Sequence, residues 1–219
     1  MSPYKLVLFD LDGTYMNTSD GVLSAVSYTI KKMGLDEITD EKLKSFIGPP
    51  VEYSFRTIYN LTEEKVKEAA GIFRNAYKDK FLFGAKLYDG IVEITDKLRA
   101  NGIKCGIATY KRESYTLKLL EHFDLIKHFD IIHGSDEDGK LTKSDIIQLC
   151  INEAEAAREN TVMIGDTSHD ALAASKLGVD FIAVTYGFEF SANLPVDVPN
   201  IGIANNSEEI FRIVVSNVQ

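Results

Sequence analysis

The stretch Tyr4-Lys5-Leu6-Val7-Leu8-Phe9-Asp10-Leu11-Asp12-Gly13-Thr14 decides how the rest of the chain is read. Its first six residues form a short, nearly continuous apolar run that stops abruptly at an aspartate. A run so short, apolar on both faces, reads as a strand buried inside a parallel sheet. Similar runs recur at residues 103–108, 130–133, 161–164 and 181–184. Helical stripes lie between them: Ile91, Ile94 and Leu98, then Leu117 and Leu120. Thr142-Lys143-Ser144-Asp145 has the form of a capping box ahead of Ile146, Ile147, Cys150 and Ile151, which repeat at helical spacing. Strand alternating with helix is the pattern of an α/β fold.

Between residues 17 and 85 the pattern changes. Val22, Val26, Ile30 and Met33 recur every three to four residues, and Val66, Ala70, Phe73 and Tyr77 do so again. Glu63 and Glu64 fall in the first turn of the second helix, where negative charge suits the helix dipole. No strand-like run interrupts this stretch. It reads as a helical insertion placed directly after the first strand and broken in its middle by Gly48-Pro49-Pro50. Residues 193–200, with Pro195 and Pro199, read as a surface loop.

In open α/β sheets, ligands bind beyond the carboxyl ends of the strands, so the residues just after each strand carry the chemistry. The first strand delivers Asp10 and Asp12, with Gly13 allowing a sharp turn. Like charges about 4 Å apart at an effective dielectric near 20 repel by roughly 4 kcal/mol, so a pair leaving an apolar core needs a cation, a shared proton or backbone separation. The second strand delivers Thr109 and Tyr110, a hydroxyl and adjacent amides able to hold a phosphoryl oxygen. Lys143 opens a helix against the preference of the dipole, which suggests an anion to bind. A later strand ends in Gly165-Asp166-Thr167-Ser168-His169-Asp170, and a helix beginning there would set Asp166 and Asp170 on one face. Hard carboxylate oxygens of this kind suit Mg²⁺. A nucleophile, a proton-transfer carboxylate, a metal site and a cationic clamp are the parts that phosphoryl transfer needs. His169 invites a metal or base role but is read as structural.

The chain has 219 residues, a net charge of -9, 45% hydrophobic and 26% charged residues. That length suits one large domain, or one with a modest insertion. The charge gives no diffuse attraction to a nucleic acid polymer or an anionic membrane, so an anionic substrate must be drawn by a local site. Cys105 and Cys150 lie far apart in apolar stretches and read as buried thiols. No run approaches the ~18 apolar residues of a membrane helix, and a cytoplasmic location is the expectation.

In order and spacing, Asp10-Leu11-Asp12-Gly13-Thr14, then Thr109, Lys143, and Gly165-Asp166 with Asp170 resemble the four motifs of the haloacid dehalogenase-like (HAD) hydrolase superfamily. The insertion resembles its small helical cap of the C1 kind. Phe46-Ile47-Gly48-Pro49-Pro50 is similar to the phosphoglycolate phosphatase and 5′-nucleotidase-like branch. The resemblance implies a Rossmann-like three-layer core at residues 1–16 and 86–219 and a cap at 17–85. It implies an Mg²⁺-dependent phosphatase acting on a small phosphorylated metabolite, as a monomer or homodimer. Asp10 would be the nucleophile and Asp12 the acid and base; Thr109, the Tyr110 amide and Lys143 would hold the phosphoryl group. Mg²⁺ would be bound by Asp10, the Asp12 carbonyl and Asp166, with Asp170 as ligand or outer partner. Arg56, on the cap, is a candidate for a distal charge of the substrate. The chain departs from the family pattern at Tyr15, Asn17, Ser144 and Thr167. A phosphomutase of the same superfamily and a non-catalytic binder of phosphate ligands are the alternatives.

Overall fold

The structure is a computed structural model that describes residues 2–47, 50–137, 139–192 and 197–216. The chain divides into two compact units, Met1–Asn17 with Leu87–Gln219, and Thr18–Lys86.

The first unit is α/β. Strands β1 (Leu6–Phe9), β4 (Lys104–Arg112), β5 (Ile131–Ser135), β6 (Thr161–Gly165), β7 (Asp180–Val184) and β8 (Gly202–Ala204) form a six-stranded sheet in the order β5-β4-β1-β6-β7-β8. All its pairings are parallel. The central strand, β1, pairs with β4 through Leu6 and Lys104 and with β6 through Leu6 and Thr161. All four of its residues are buried, which explains why the sequence there is apolar without alternation. After β1 the chain builds one side of the sheet through β4 and β5, then crosses back and builds the other through β6, β7 and β8. The order therefore reverses between β1 and β6, which places a crevice at the carboxyl ends of these two strands.

Helices cover the sheet. α7 (Lys143–Ala154) and α8 (Ser168–Leu177) pack where Ile146, Ile147, Cys150, Ala171 and Ala174 meet Leu6, Leu8, Met163 and Phe181. α5 (Ile91–Ala100) and α9 (Ser207–Ser216) pack on each other, and α5 on β4. α6 (Glu113–His122) follows β4. The capping box read from Thr142 and Asp145 is present at the start of α7. Both cysteines are buried free thiols, and burial raises both, Cys150 to about 12.

Most strand ends shift by a residue or two from the sequence expectation, and two features depart further. β4 runs past Ala108 to Arg112, because the register against β5 shifts between Ala108 and Arg112 and the chain continues past the irregularity as strand. β8, which no apolar run announces, is a three-residue edge strand with only Ala204 buried. Of the loop read at 193–200, residues 193–196 lie outside the described residues; residues 197–200 are irregular.

The second unit is helical: α1 (Ser19–Lys32), α2 (Asp40–Lys44), α3 (Val51–Tyr59) and α4 (Glu63–Ala76), the last continued by a π-helical turn at Tyr77–Phe81. Val26, Ile30, Phe46, Phe55 and Ala69 form its core, with the rings of Phe46 and Phe55 edge to face at 4.9 Å. α4 starts as its sequence suggests: the Thr62 hydroxyl accepts the Lys65 N–H, and Glu63 and Glu64 occupy the first turn. Gly48 and Pro49 lie outside the described residues; Pro50 directly precedes α3. Short strands β2 (Met16–Asn17) and β3 (Lys86–Leu87) pair where the chain leaves and rejoins the first unit. Among the described residues no helix is long and apolar enough to cross a membrane.

Candidate active site

Side chains alternate along a strand, so Asp10 follows Leu6 and Leu8 toward the face covered by α7 and α8. Its N–H continues the ladder by donating to the Ile164 carbonyl at 2.9 Å. The side chain therefore leaves the core at the sheet's carboxyl end, and the residue is only 7% exposed. Lys143, the first residue of α7, meets it there. Its ammonium donates to Asp10 Oδ1 at 2.5 Å and lies 2.7 Å from Asp170 Oδ1.

Asp170 is held by its own helix. Thr167 caps α8, and the Asp170 Oδ2 accepts the Thr167 hydroxyl at 2.7 Å and its N–H at 3.3 Å in a capping box. Asp166 lies ahead of this helix rather than on it. The sequence pattern sets the two aspartates on one helical face, but Thr167 takes the capping position and α8 begins at Ser168. Asp166 instead follows β6. Its Oδ1 accepts the Thr14 hydroxyl at 3.1 Å and its Oδ2 the Phe188 N–H at 2.7 Å. The strand end and the helix start nevertheless converge: one oxygen each of Asp10, Asp166 and Asp170 lies within 4.8 Å of the others, and all three residues are buried.

This packing needs glycine. Gly13 has φ of +86°, and a Cβ on it would fall 2.1 Å from Asp166 Oδ2. A Cβ on Gly187 would fall 2.3 Å from the Asp166 Cβ and 2.5 Å from the Gly13 carbonyl. The turns after β1 and after β7 close on Asp166 from two sides.

The electrostatics follow from that crowding. Burial, then the charges of Asp170 and Asp12, push the Asp10 carboxyl up to about 7, although Lys143 acts in the other direction. Burial and the charges of Asp10 and Asp170 hold Asp166 well above the ordinary carboxylate range. Lys143 is held above its usual value: its two carboxylate partners outweigh its own desolvation.

Asp12 points to a different partner. Both of its oxygens accept from the Lys111 ammonium, at 2.8 and 3.0 Å. Thr109 is buried, its hydroxyl accepts the Lys111 N–H at 3.2 Å, and Tyr110 between them is exposed. The Tyr110 ring centroid lies 5.9 Å from the Lys143 ammonium and 6.4 Å from the ring of His169, itself exposed at the start of α8. Arg56 belongs to the helical unit, where its Nε and Nη2 donate to the two carboxylate oxygens of Glu63 at 2.6 and 2.8 Å.

Two contributions escape sequence reasoning. Lys111 lies two residues after Thr109, but nothing in its neighbours says that the strand bulges there and turns its ammonium to Asp12. The segment after β7 supplies the Phe188 amide to Asp166 and the Tyr186 hydroxyl to the Thr14 carbonyl at 3.1 Å. Gly187, close behind an apolar strand, is the signal available for it.

The donor set fits a hard divalent cation. Four carboxylates, Asp10, Asp12, Asp166 and Asp170, are joined by two ammonium groups, Lys111 and Lys143; with Asp10 and Asp166 deprotonated, as ligation requires, two negative charges are left for a cation to balance. Oxygen-only ligands and a charge deficit of two suit Mg²⁺.

Fold and site together describe an α/β protein with an acidic site, open to a cation, at the switch point of a parallel sheet. The chain belongs to the haloacid dehalogenase-like hydrolase family, whose pattern matches residues 7–184. It is 35% identical over 186 residues to a 5′-nucleotidase of Pseudomonas aeruginosa, covering 84% of each chain. It is 30% identical over 185 residues to the tyrosine-protein kinase PtkA of Mycobacterium tuberculosis, covering 84% of this chain and 63% of the kinase. Its fold matches a solved haloacid dehalogenase-like family hydrolase from Streptococcus pneumoniae with a TM-score of 0.87 and 31% identity, over 96% of this chain and 98% of that one.

Proposed function

We propose that the chain is an Mg²⁺-dependent phosphatase that hydrolyses a small phosphate monoester through a phosphorylated Asp10. The observation that carries this reading is the buried meeting of Asp10, Asp166 and Asp170 at the carboxyl ends of β1 and β6, with the Lys143 ammonium on Asp10 and Asp170.

In this reading an Asp10 carboxylate oxygen attacks phosphorus and the bond to the ester oxygen breaks. Asp12 gives its proton to the leaving oxygen. Water then attacks the same phosphorus and loses a proton to Asp12, the bond to Asp10 breaks, and inorganic phosphate departs. General acid and base help of this kind is worth about 10²–10⁴-fold. The Thr109 hydroxyl, the Tyr110 amide and the Lys143 ammonium hold the phosphoryl oxygens. Mg²⁺ would be held by Asp10, Asp166 and the Asp12 carbonyl, with Asp170 as ligand or outer partner, and would supply the positive charge that lets an anion approach three carboxylates. Residues 17–85 act as a cap that selects the substrate, with Arg56 as its candidate for a distal charge, and a nucleoside monophosphate is a natural first probe given the 5′-nucleotidase relative.

The test is Mg²⁺-dependent phosphate release from a panel of phosphorylated metabolites and an aryl phosphate, with Asp10→Asn beside the parent. Turnover by the parent that Asp10→Asn abolishes, with the fold intact, supports the reading. Release undiminished in Asp10→Asn overturns it.

A further inference from the structure

We infer that Lys111 is a positioning residue that holds the Asp12 carboxylate in its working orientation; this rests on the phosphatase reading above. Three observations converge on it. First, the Lys111 ammonium reaches both oxygens of Asp12, at 2.8 and 3.0 Å, so one donor fixes the rotation of the whole carboxylate group. Second, the Lys111 side chain is 8% exposed while that of Asp12 is 29% exposed. A lysine usually extends its charged end to water and keeps its rotamer freedom. Here the lysine is the more enclosed partner of the pair, and the acid stays accessible to a substrate and to water. Third, the backbone is arranged for it. The register of β4 against β5 is interrupted between Ala108 and Arg112, and within that interruption Thr109 is buried, Tyr110 is exposed and the Lys111 N–H donates to the Thr109 hydroxyl. A bulge re-aims side chains at a strand end. This one sets a phosphate-holding hydroxyl and an acid-holding ammonium two residues apart.

Asp12 gains from such a restraint. It lies in the turn next to Gly13, at the accessible edge of the site, whereas Asp166 is fully buried and bonded on both oxygens by Thr14 and Phe188. An acid that gives a proton to one oxygen and later takes one from water must keep the same place through both steps, and misplacement by about 1 Å can lower a rate 10²-fold. Lys111 serves Asp12, while Lys143 serves Asp10 and Asp170 among the cation-binding carboxylates. The two ammonium groups therefore have separable roles.

The experiment uses the full chain with saturating Mg²⁺, its variants Lys111→Met, Lys111→Gln and Lys111→Arg, and two probes. p-Nitrophenyl phosphate releases a stable phenolate that needs no proton; glycerol phosphate releases an alkoxide that does. Lys111→Met should lose about 10²-fold in kcat on glycerol phosphate with KM little changed, in line with a displaced general acid. On p-nitrophenyl phosphate the same variant should keep a rapid first release of p-nitrophenol and then stall, because the second step also uses Asp12. Lys111→Arg should recover at least about tenfold, since a guanidinium can also engage both oxygens. Lys111→Gln, which keeps an N–H donor and ordinary polarity, carries the comparison if the Met variant does not fold. Loss of the first p-nitrophenol release as severe as the loss on glycerol phosphate overturns the inference. So does unimpaired turnover in the Met and Gln variants, or failure of Arg to recover any activity. A parent chain inactive on every phosphate ester sinks the phosphatase reading instead, while an active parent with an unimpaired Met variant sinks only the role of Lys111.

Discussion

Asp166→Asn should make the metal-free protein more stable while removing its response to Mg²⁺. Asp166 is fully buried, and one of its oxygens lies within 4.8 Å of oxygens of Asp10 and Asp170. At an effective dielectric near 20, each fully ionised pair at that distance repels by about 3.5 kcal/mol. Burial and mutual charge push both Asp10 and Asp166 toward the protonated form, and Asp170 is bonded to Lys143, so at neutral pH the relief is smaller, about 2 kcal/mol. Asparagine can keep the local hydrogen bonds: its carbonyl can accept the Phe188 N–H, and its amide can donate to the Thr14 hydroxyl, which reverses its own direction. For a chain of this length 1 kcal/mol moves the unfolding midpoint by about 2–4 °C, so the variant should unfold about 4–8 °C above the parent in chelator. Titration with MgCl₂ should then separate the two proteins. The parent gains about 2.7 kcal/mol at a hundredfold excess over its dissociation constant, and the variant gains little. Differential scanning fluorimetry in chelator and over an Mg²⁺ series reads both effects. A variant that unfolds below the parent in chelator, or rises with Mg²⁺ as the parent does, would refute the claim that Asp166 is a strained carboxylate kept for a cation.

Two further outcomes arise from the same crowding. In chelator, the native Asp10 keeps its proton up to about pH 7 whereas the unfolded chain loses it near 3.8. The native state thus binds more protons between those values, and its stability should fall as pH rises through them, by up to about 1.4 kcal/mol per unit from Asp10, with Asp166, raised in the same direction, adding to the fall. Saturating Mg²⁺ should flatten this dependence; chemical unfolding at several pH values measures it, and stability that climbs across the window contradicts the sign. Gly187→Ala should lower the unfolding midpoint, because the new Cβ meets the Asp166 Cβ and the Gly13 carbonyl, and overpacking of this kind costs about 1–3 kcal/mol. Gly71→Ala, in α4 with open space around the position, should instead gain about 0.5–1 kcal/mol, and a similar loss in both would remove the steric explanation.

How far the sequence carries the fold depends on how each residue signals itself. β1 is legible because burial on both faces leaves four apolar residues in a row and an acid at their end. α7 is legible through its capping box and the spacing of Ile146, Ile147 and Cys150. β8 is not, since a three-residue edge strand with one buried residue carries no apolar run. Nor is α2, whose five residues include no buried one. Within the site, Asp10, Lys143, Asp166 and Asp170 announce themselves as charges at strand ends and helix starts. The Lys111–Asp12 pair does not, because it depends on a register shift that only the β4–β5 pairing reveals. The Phe188 amide is equally silent: a backbone donor has no residue type to recognise it by.

In the proposed reaction Asp10 itself carries the phosphoryl group between substrate and water. Rapid acid quench during turnover, followed by borohydride reduction and peptide mass spectrometry, reads this directly, since reduction converts an aspartyl phosphate to homoserine. Homoserine should appear at position 10 alone, and only when Mg²⁺ and a hydrolysable phosphate ester are both present. Steady phosphate release with position 10 still aspartate, or homoserine at another position, would contradict it.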